Sequence, residues 1–262
     1  MHTLRVSFGI AFLLIWAVVV MPGAAAQDDI SPPLYKTSTI IGRAVENQHG
    51  DELGKIEEVI LEAATGNVAY AVLASDGFIG LGGKLFAIPW HALQQPTATQ
   101  TFRLDMTEEK LKKAPGFDQD NWPDLEDRHW GDTIHAYYGR PPYLGQHLPP
   151  KTSREAEEHV TQRLLRASHV LKSEVMNPRG QRLGDIEEVV IDTAAGKVAY
   201  VVLSAKQLLG LKEKWFAIPW HTLQQSAGLG TFTLDVDKET LQEAPGFDRD
   251  NWPNRADTRW AG

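Results

Sequence analysis

Hydrophobic positions in this chain fall into short runs separated by turn-forming residues. Thr39-Ile40-Ile41-Gly42-Arg43-Ala44-Val45 is the first strand-like run, and Glu46 to Asp51 carries turn formers, with Asn47 and Gly50 able to take positive φ. Gly54 to Leu61 and Val68 to Leu73 flank Thr65-Gly66-Asn67, and two β-rich runs around a glycine turn predict an antiparallel hairpin. Val68, Tyr70 and Val72 alternate with Ala69, Ala71 and Leu73, so apolar side chains point to both faces, as in a small closed barrel. Ser75 to Gly83 is glycine-rich and predicts a mobile loop. Lys84 to Trp90 is the next strand, with Pro89 ending its pairing because proline offers no ladder donor. Thr101-Phe102-Arg103-Leu104 is the last. Thr107 then caps a short helix whose first turn holds Glu108 and Glu109, and Leu111 is its inward anchor. The tail from Ala114 to Pro123 is irregular and aromatic, and burial of Phe117 and Trp122 should fold it back onto the strands.

The whole pattern returns. Phe86-Ala87-Ile88-Pro89-Trp90-His91, with Leu93-Gln94-Gln95 behind it, recurs as Phe216-Ala217-Ile218-Pro219-Trp220-His221 with Leu223-Gln224-Gln225. Gly54 to Trp130 aligns with Gly184 to Trp260 without a gap, at about half identity. A repeat of this length means two domains. Each is large enough to bury about two thirds of its extended-chain surface in a core of its own. The divisions predicted are a leader at 27–38, a first barrel at 39–130, a linker and helix at 131–168, and a second barrel at 169–262 that starts near His169-Val170-Leu171. In the linker, Gly139-Arg140-Pro141-Pro142-Tyr143 and Leu148-Pro149-Pro150 favour extended conformations. Thr152 and Glu155 form a capping-box pattern, and Ala156, Val160, Leu164 and Ala167 recur at helical spacing, which predicts a helix from Thr152 to about Ser168.

Residues 1–26 read as a secretory signal peptide. Arg5 supplies the positive start, Phe8 to Met21 an apolar run of 14 residues, and Ala24-Ala25-Ala26 the small residues of a cleavage site. The run is short of the ~20 residues of a membrane-spanning helix. The expectation is cleavage near Ala26 and a periplasmic or secreted product without a transmembrane span. The net charge of -8 comes with no basic run, which argues against nucleic acid as a partner. The chain has no cysteine, so disulfides, thiolate metal ligands and a cysteine nucleophile are excluded, and stability rests on packing.

Candidate chemistry is sparse. His91 and His221 occupy equivalent positions and, as imidazoles, suit metal ligation or acid-base work, but neither has a second ligand at metal-like spacing. A structural histidine is the preferred reading. Asp118, Asp120, Asn121 and Asp124, with Asp248, Asp250 and Asn251, hint at calcium, yet Trp122 stands where a third oxygen ligand belongs and no glutamate closes the loop. Glu57-Glu58 and Glu187-Glu188 are adjacent strand residues pointing to opposite faces, so they cannot work as an acid-base pair; they read as a solvated edge. No serine sits in a nucleophile elbow. Trp90, Trp122 and Trp130, with Trp220, Trp252 and Trp260, are the residues best suited to anchoring a partner, and also ordinary core filling. No catalytic, cofactor-binding or metal-binding residue is assigned.

Gly54-Lys55-Ile56-Glu57-Glu58-Val59, Gly66 to Leu73, Phe86 to Trp90 and Ala114-Pro115-Gly116-Phe117-Asp118, with their copies at Leu183 to Val189, Gly196 to Leu203, Phe216 to Trp220 and Ala244 to Asp248, together resemble the PRC-barrel family. That family includes the cytoplasmic domain of the photosynthetic reaction-centre H subunit and the C-terminal domain of a ribosome maturation factor. The resemblance implies an all-β chain of two tandem barrels of about six strands, each followed by a short helix and an irregular tail. It implies docking without shared catalytic residues. Neither named role transfers, since the membrane helix of the one and the RNA-associated domain of the other are missing. The reading is an exported, non-catalytic scaffold or protein-interaction module without a cofactor, its barrels paired within the chain and its partner an unknown protein, such as an envelope complex. Two alternatives stand beside it: a metal-dependent binder or enzyme using His91 and His221, and an accessory subunit docking on a photosynthetic or electron-transfer membrane complex.

Overall fold

A computed structural model describes residues 34–75, 83–94, 101–141, 163–205, 214–226 and 230–257. In the first half, β1 (Leu34–Lys36) leads into one helical turn, α1 (Thr37–Ile40), then β2 (Ala44–Glu46), β3 (Glu52–Glu62), β4 (Val68–Ala74), β5 (Leu85–Pro89), β6 (Leu93–Gln94) and β7 (Phe102–Leu104). The helix α2 (Glu108–Lys112), the strand β8 (Gly116–Phe117) and the helix α3 (Arg128–Tyr137) follow. The second half repeats this as β9 (Leu164–Arg166), α4 (Ala167–Val170), β10 (Glu174–Met176), β11 (Arg182–Asp192), β12 (Lys197–Ser204), β13 (Trp215–Ile218), β14 (Leu223–Gln225), β15 (Thr231–Leu234) and α5 (Lys238–Glu243). Each half is a curled sheet, in the order β6-β7-β2-β3-β4-β5-β8 and β13-β12-β11-β10-β15-β14. The β2–β7 and β10–β15 pairs are parallel.

The predicted hairpin is β3 with β4, Ile56 opposite Leu73 and Ile60 opposite Tyr70. Its strands cross so closely at Gly54 (φ +146°) that a Cβ there would lie 2.2 Å from the Ala74 carbonyl oxygen, a place only glycine can fill. The register shifts between Ile56 and Glu58. This bulge leaves Glu57 exposed and turns Glu58 inward. The cap of α2 falls where the sequence puts it, Thr107 accepting from the Lys110 N–H at 3.3 Å, and Asp237, its counterpart at the start of α5, accepts from the Thr240 N–H at 2.8 Å.

Several local expectations are corrected. The run Thr39–Val45 opens as the helical turn α1, not as a strand. Asn47 does not take positive φ; its side-chain oxygen accepts from the His49 and Asp51 N–H groups instead and closes the turn that way. The strand expected to run to Trp90 ends at Pro89, which is its last paired residue, opposite Tyr70, as the proline predicts; Trp90 has left it for a 3-10 turn, Trp90–Ala92. Residues 128–137, at the boundary of the first barrel and the linker, form α3, capped by Asp127. At the far end of the linker, Leu164–Arg166 is a strand where the helix to Ser168 was expected. Residues 76–82 of the glycine-rich loop and residues 152–162 of the expected helix lie outside the described residues.

The short leading strands cross over. β1 does not join the sheet of its own repeat but pairs with β11, Leu34 opposite Asp192. Likewise β9 pairs with β3, Leu164 opposite Glu62. Each long strand is bordered by its own repeat at one end and by the other repeat's leader at the far end, so neither leaves a bare edge there. The hairpin turns also meet: Val68 N–H donates to the Gly196 carbonyl and Val198 N–H to Gly66, both at 2.8 Å. The result is a shared core. Along β3 past the bulge, Val59 and Leu61 join an apolar cluster that also contains Val189, Ile191, Trp90 and Trp220, while Ile60 faces outward into a second cluster with Tyr70, Val72 and Ile134. Val190, Tyr200, Val202 and Trp215 form the matching outer cluster of the second repeat. The expectation of two self-contained cores thus gives way to one common core between two outer ones.

Candidate functional site

The side chains singled out in the sequence separate into three groups. Trp90 and Trp220 are buried where the repeats meet. The Trp90 Nε1 donates to the Thr193 carbonyl at 3.3 Å, and Trp220 Nε1 to the Ala63 carbonyl at 2.9 Å. Each indole thus bonds to the opposite repeat's hairpin turn. A Cβ on Gly66 would lie 2.7 Å from Trp220 Cδ1, and one on Gly196 2.7 Å from Trp90 Cδ1. These two tryptophans hold the halves together and are not available to a partner.

Trp122 and Trp252 belong to the tails and are half-buried. Phe117 and Trp122 pack with ring centroids 5.0 Å apart; Trp215, Phe247 and Trp252 form a three-ring set. Each tail ring carries a cation from the crossing strand. The Arg166 guanidinium lies 3.8 Å over Trp122, and the Lys36 ammonium 3.5 Å over Trp252. Cation–π attraction of this kind adds about 0.5–2 kcal/mol, so the tails hold down the exchanged strands. Trp130, on α3, packs 5.5 Å from the Tyr70 ring. Trp260 lies outside the described residues.

His91 and His221 are exposed on their 3-10 turns. The His91 ring lies near Gly196, its Cε1 3.4 Å from where a Cβ would stand. Among the described residues no three His, Asp or Glu side chains gather closely enough to hold a metal ion. In the second tail, Asp248 accepts from the N–H groups of Asp250 and Asn251, so this carboxylate serves a local turn.

Glu58 and Glu188 are the residues the sequence reading misplaced. They are buried, 2% and 6% exposed, rather than on a solvated edge. Glu58 accepts from the Ser168 N–H at 3.1 Å, the Ser168 hydroxyl and the N–H of Val59 at 3.0 Å, with Arg166 Nε 3.4 Å away. Glu188 accepts from Ser38 N–H at 3.3 Å, the Ser38 hydroxyl and Val189 N–H at 3.0 Å. Each carboxylate thus fastens the turn that follows the other repeat's leading strand. The signal for them was present as one inward position in each acidic pair, but the donors lie 110 and 150 residues away in sequence.

His135 was also missed. It is buried on α3, its ring 5.5 Å from Tyr70. Burial holds its pKa below the ordinary histidine value, with His91 adding to the effect and the Pro141 backbone and Asp132 opposing it. Burial likewise raises the tyrosines packed under the tails, Tyr200 to about 12 and Tyr70 further, with the Asp132 charge adding at Tyr70. Tyr200 hydroxyl donates to the Pro253 carbonyl at 2.7 Å.

Among the described residues no helix is long and apolar enough to cross a membrane. No curated protein matches the chain. The sequence model of the PRC-barrel domain matches residues 32–111 and again residues 163–241, more than half of the chain. Both matches begin at or before the exchanged strands β1 and β9, so each includes the segment given to the opposite sheet. The chain belongs to the PRC-barrel domain family and carries that domain twice.

Proposed function

We propose that this protein is an exported, non-catalytic scaffold that binds another protein through its paired PRC-barrels. The observation that carries the reading is the family match itself, found twice. PRC-barrel domains are commonly protein-interaction modules and generally lack catalysis. The structure supports it by fusing the two domains: shared core, exchanged strands and reciprocal indole bonds make one rigid presentation surface, suited to a partner that must be held in fixed geometry. Export rests on the sequence of residues 1–26, with their positive start, short apolar run and alanine-rich end.

The test is affinity purification of the tagged full chain from envelope and cytosolic fractions, with intact-mass measurement of the purified protein. A product starting near Gln27 with a stoichiometric protein companion in the envelope fraction is the expected result. A retained Met1 in a cytosolic product would defeat the export reading. Purification without any companion, together with metal bound through His91 and His221 and lost in their alanine variants, would replace the scaffold with the metal-dependent alternative.

A further inference from the structure

The helix α3 lies on the outer side of the first sheet, where Ile134 is wholly buried in the cluster of Ile60, Tyr70 and Val72. Its inward residues are Gly131, Ile134 and His135, while Asp132, Thr133 and Ala136 are exposed. The Tyr70 ring is the centre of its seat. Trp130 and His135 each pack 5.5 Å from that ring, and a Cβ on Gly131 would stand 3.4 Å from its hydroxyl. Between two apolar contacts the seat thus takes a titratable one. His135 is only 4% exposed, and an imidazole that gains a proton there must carry its charge without water. A helix of 10 residues is also too short to persist once it leaves the sheet.

We propose that α3 is an acid-released cover: protonation of His135 frees the helix from the first sheet and uncovers Ile60, Tyr70 and Val72 while the two repeats stay joined. The groups around His135 set the direction. Burial disfavours its charged form most, His91 on the turn after β5 adds to this, and the Pro141 backbone and Asp132 on α3 itself oppose it. From β4 comes Tyr70 and from the end of the helix Tyr138, both kept neutral by burial. From α2, Lys110 accepts the Tyr137 hydroxyl at its carbonyl, and its ammonium is outside. Arg128, His129 and Arg140, at the helix ends, are exposed. Ile60 of β3, Ala87 of β5 and Leu164 border the same cluster and do not titrate. The folded histidine therefore holds its proton less well than a released one, so the docked helix is favoured near neutral pH and loses that advantage as pH falls toward the folded pKa. The joint between the repeats is built elsewhere, on Trp90, Trp220 and the buried carboxylates of Glu58 and Glu188.

Deuterium exchange of the full chain, read by mass spectrometry from about pH 8 to about pH 5 and divided by the chemical exchange rate at each pH, gives the opening constant of each segment. For α3 that constant is expected to rise about tenfold per pH unit below about 6.5 and to level off past the folded pKa. It should exceed the constant of β12, a core strand, at least about tenfold throughout, so that the helix opens while the sheet stays closed. In His135→Gln the rise in α3 should be lost. A constant for α3 that does not change with pH, or one equal to that of β12, overturns the proposal on the native protein alone, since the helix would then be indifferent to acid or open only with the whole molecule. The same rise in His135→Gln would overturn it too, by placing the proton on another group.

Discussion

Glu58 and Ser168 illustrate how single residues join the halves. The buried carboxylate accepts two N–H groups and a hydroxyl, two of these three from the opposite repeat. Removing it leaves buried donors without an acceptor, which costs about 1–3 kcal/mol. Glu58→Ala is therefore expected to lower the unfolding free energy by that amount in urea titration. The Glu58→Ala/Ser168→Ala double variant should lose less than the two singles added, since both remove one interaction. Strict additivity would show the pair to be incidental. Gly196 gives a second residue-scale test. Its φ of +63° and the indole of Trp90 2.7 Å from a would-be Cβ both exclude a side chain. Gly196→Ala should destabilise by more than the ~1 kcal/mol of a strained turn alone, because the ring that must move also bonds Thr193. A smaller loss, read from the same denaturation curves, would mean that the repeats can slide apart at no cost.

At the scale of elements, α3 is where pH acts. His135 is buried on it, so its folded pKa lies below the unfolded value near 6.5. As pH falls from about 7, the unfolded chain takes up this proton before the folded one does, and stability drops toward the folded pKa. Melting temperature should fall between pH 7 and pH 5.5 in the native protein and fall less in His135→Gln; parallel curves would remove His135 as the cause. The elements also show what was legible in the sequence. Long periodic runs, the β3–β4 hairpin, both capped helices and the aromatic tails could be read because their signals are local. α3 could have been read too: Asp127 is a good cap, and Trp130, Ile134 and Tyr138 recur every fourth residue, but the prolines nearby drew the segment into the linker. The strands β1 and β9 could not. Three residues hold no periodicity, and their pairing partners lie in the other repeat, where no local rule applies. For the site, the sequence offered the six tryptophans without dividing them into joints, clamps and covers. That division depends on which repeat's backbone each ring meets.

For the whole molecule, duplication has become fusion. A single β-rich repeat would leave its long strand half-edged and its central tryptophan bonding to water, whereas two copies in one chain complete each other without waiting for a second chain to associate. Such coupling makes the pair the natural unit of folding and the natural unit of recognition, which is why the proposed function belongs to both barrels jointly. The exchange of leading strands is the claim on which this depends. Four positions test it, because Leu34 faces Asp192 and Leu164 faces Glu62 across the repeats, while Leu34 would face Glu62, and Leu164 Asp192, if each strand stayed with its own repeat. With no native cysteine to interfere, paired cysteines at these sites can be oxidised under mild conditions and the bond read by intact mass after denaturation. Opposed residues of this kind lie within disulfide reach. Intramolecular disulfides are expected for Leu34→Cys with Asp192→Cys and for Leu164→Cys with Glu62→Cys, and not for the two alternative combinations. Bond formation in the alternative pairs, with the crossed pairs left as thiols, would contradict it.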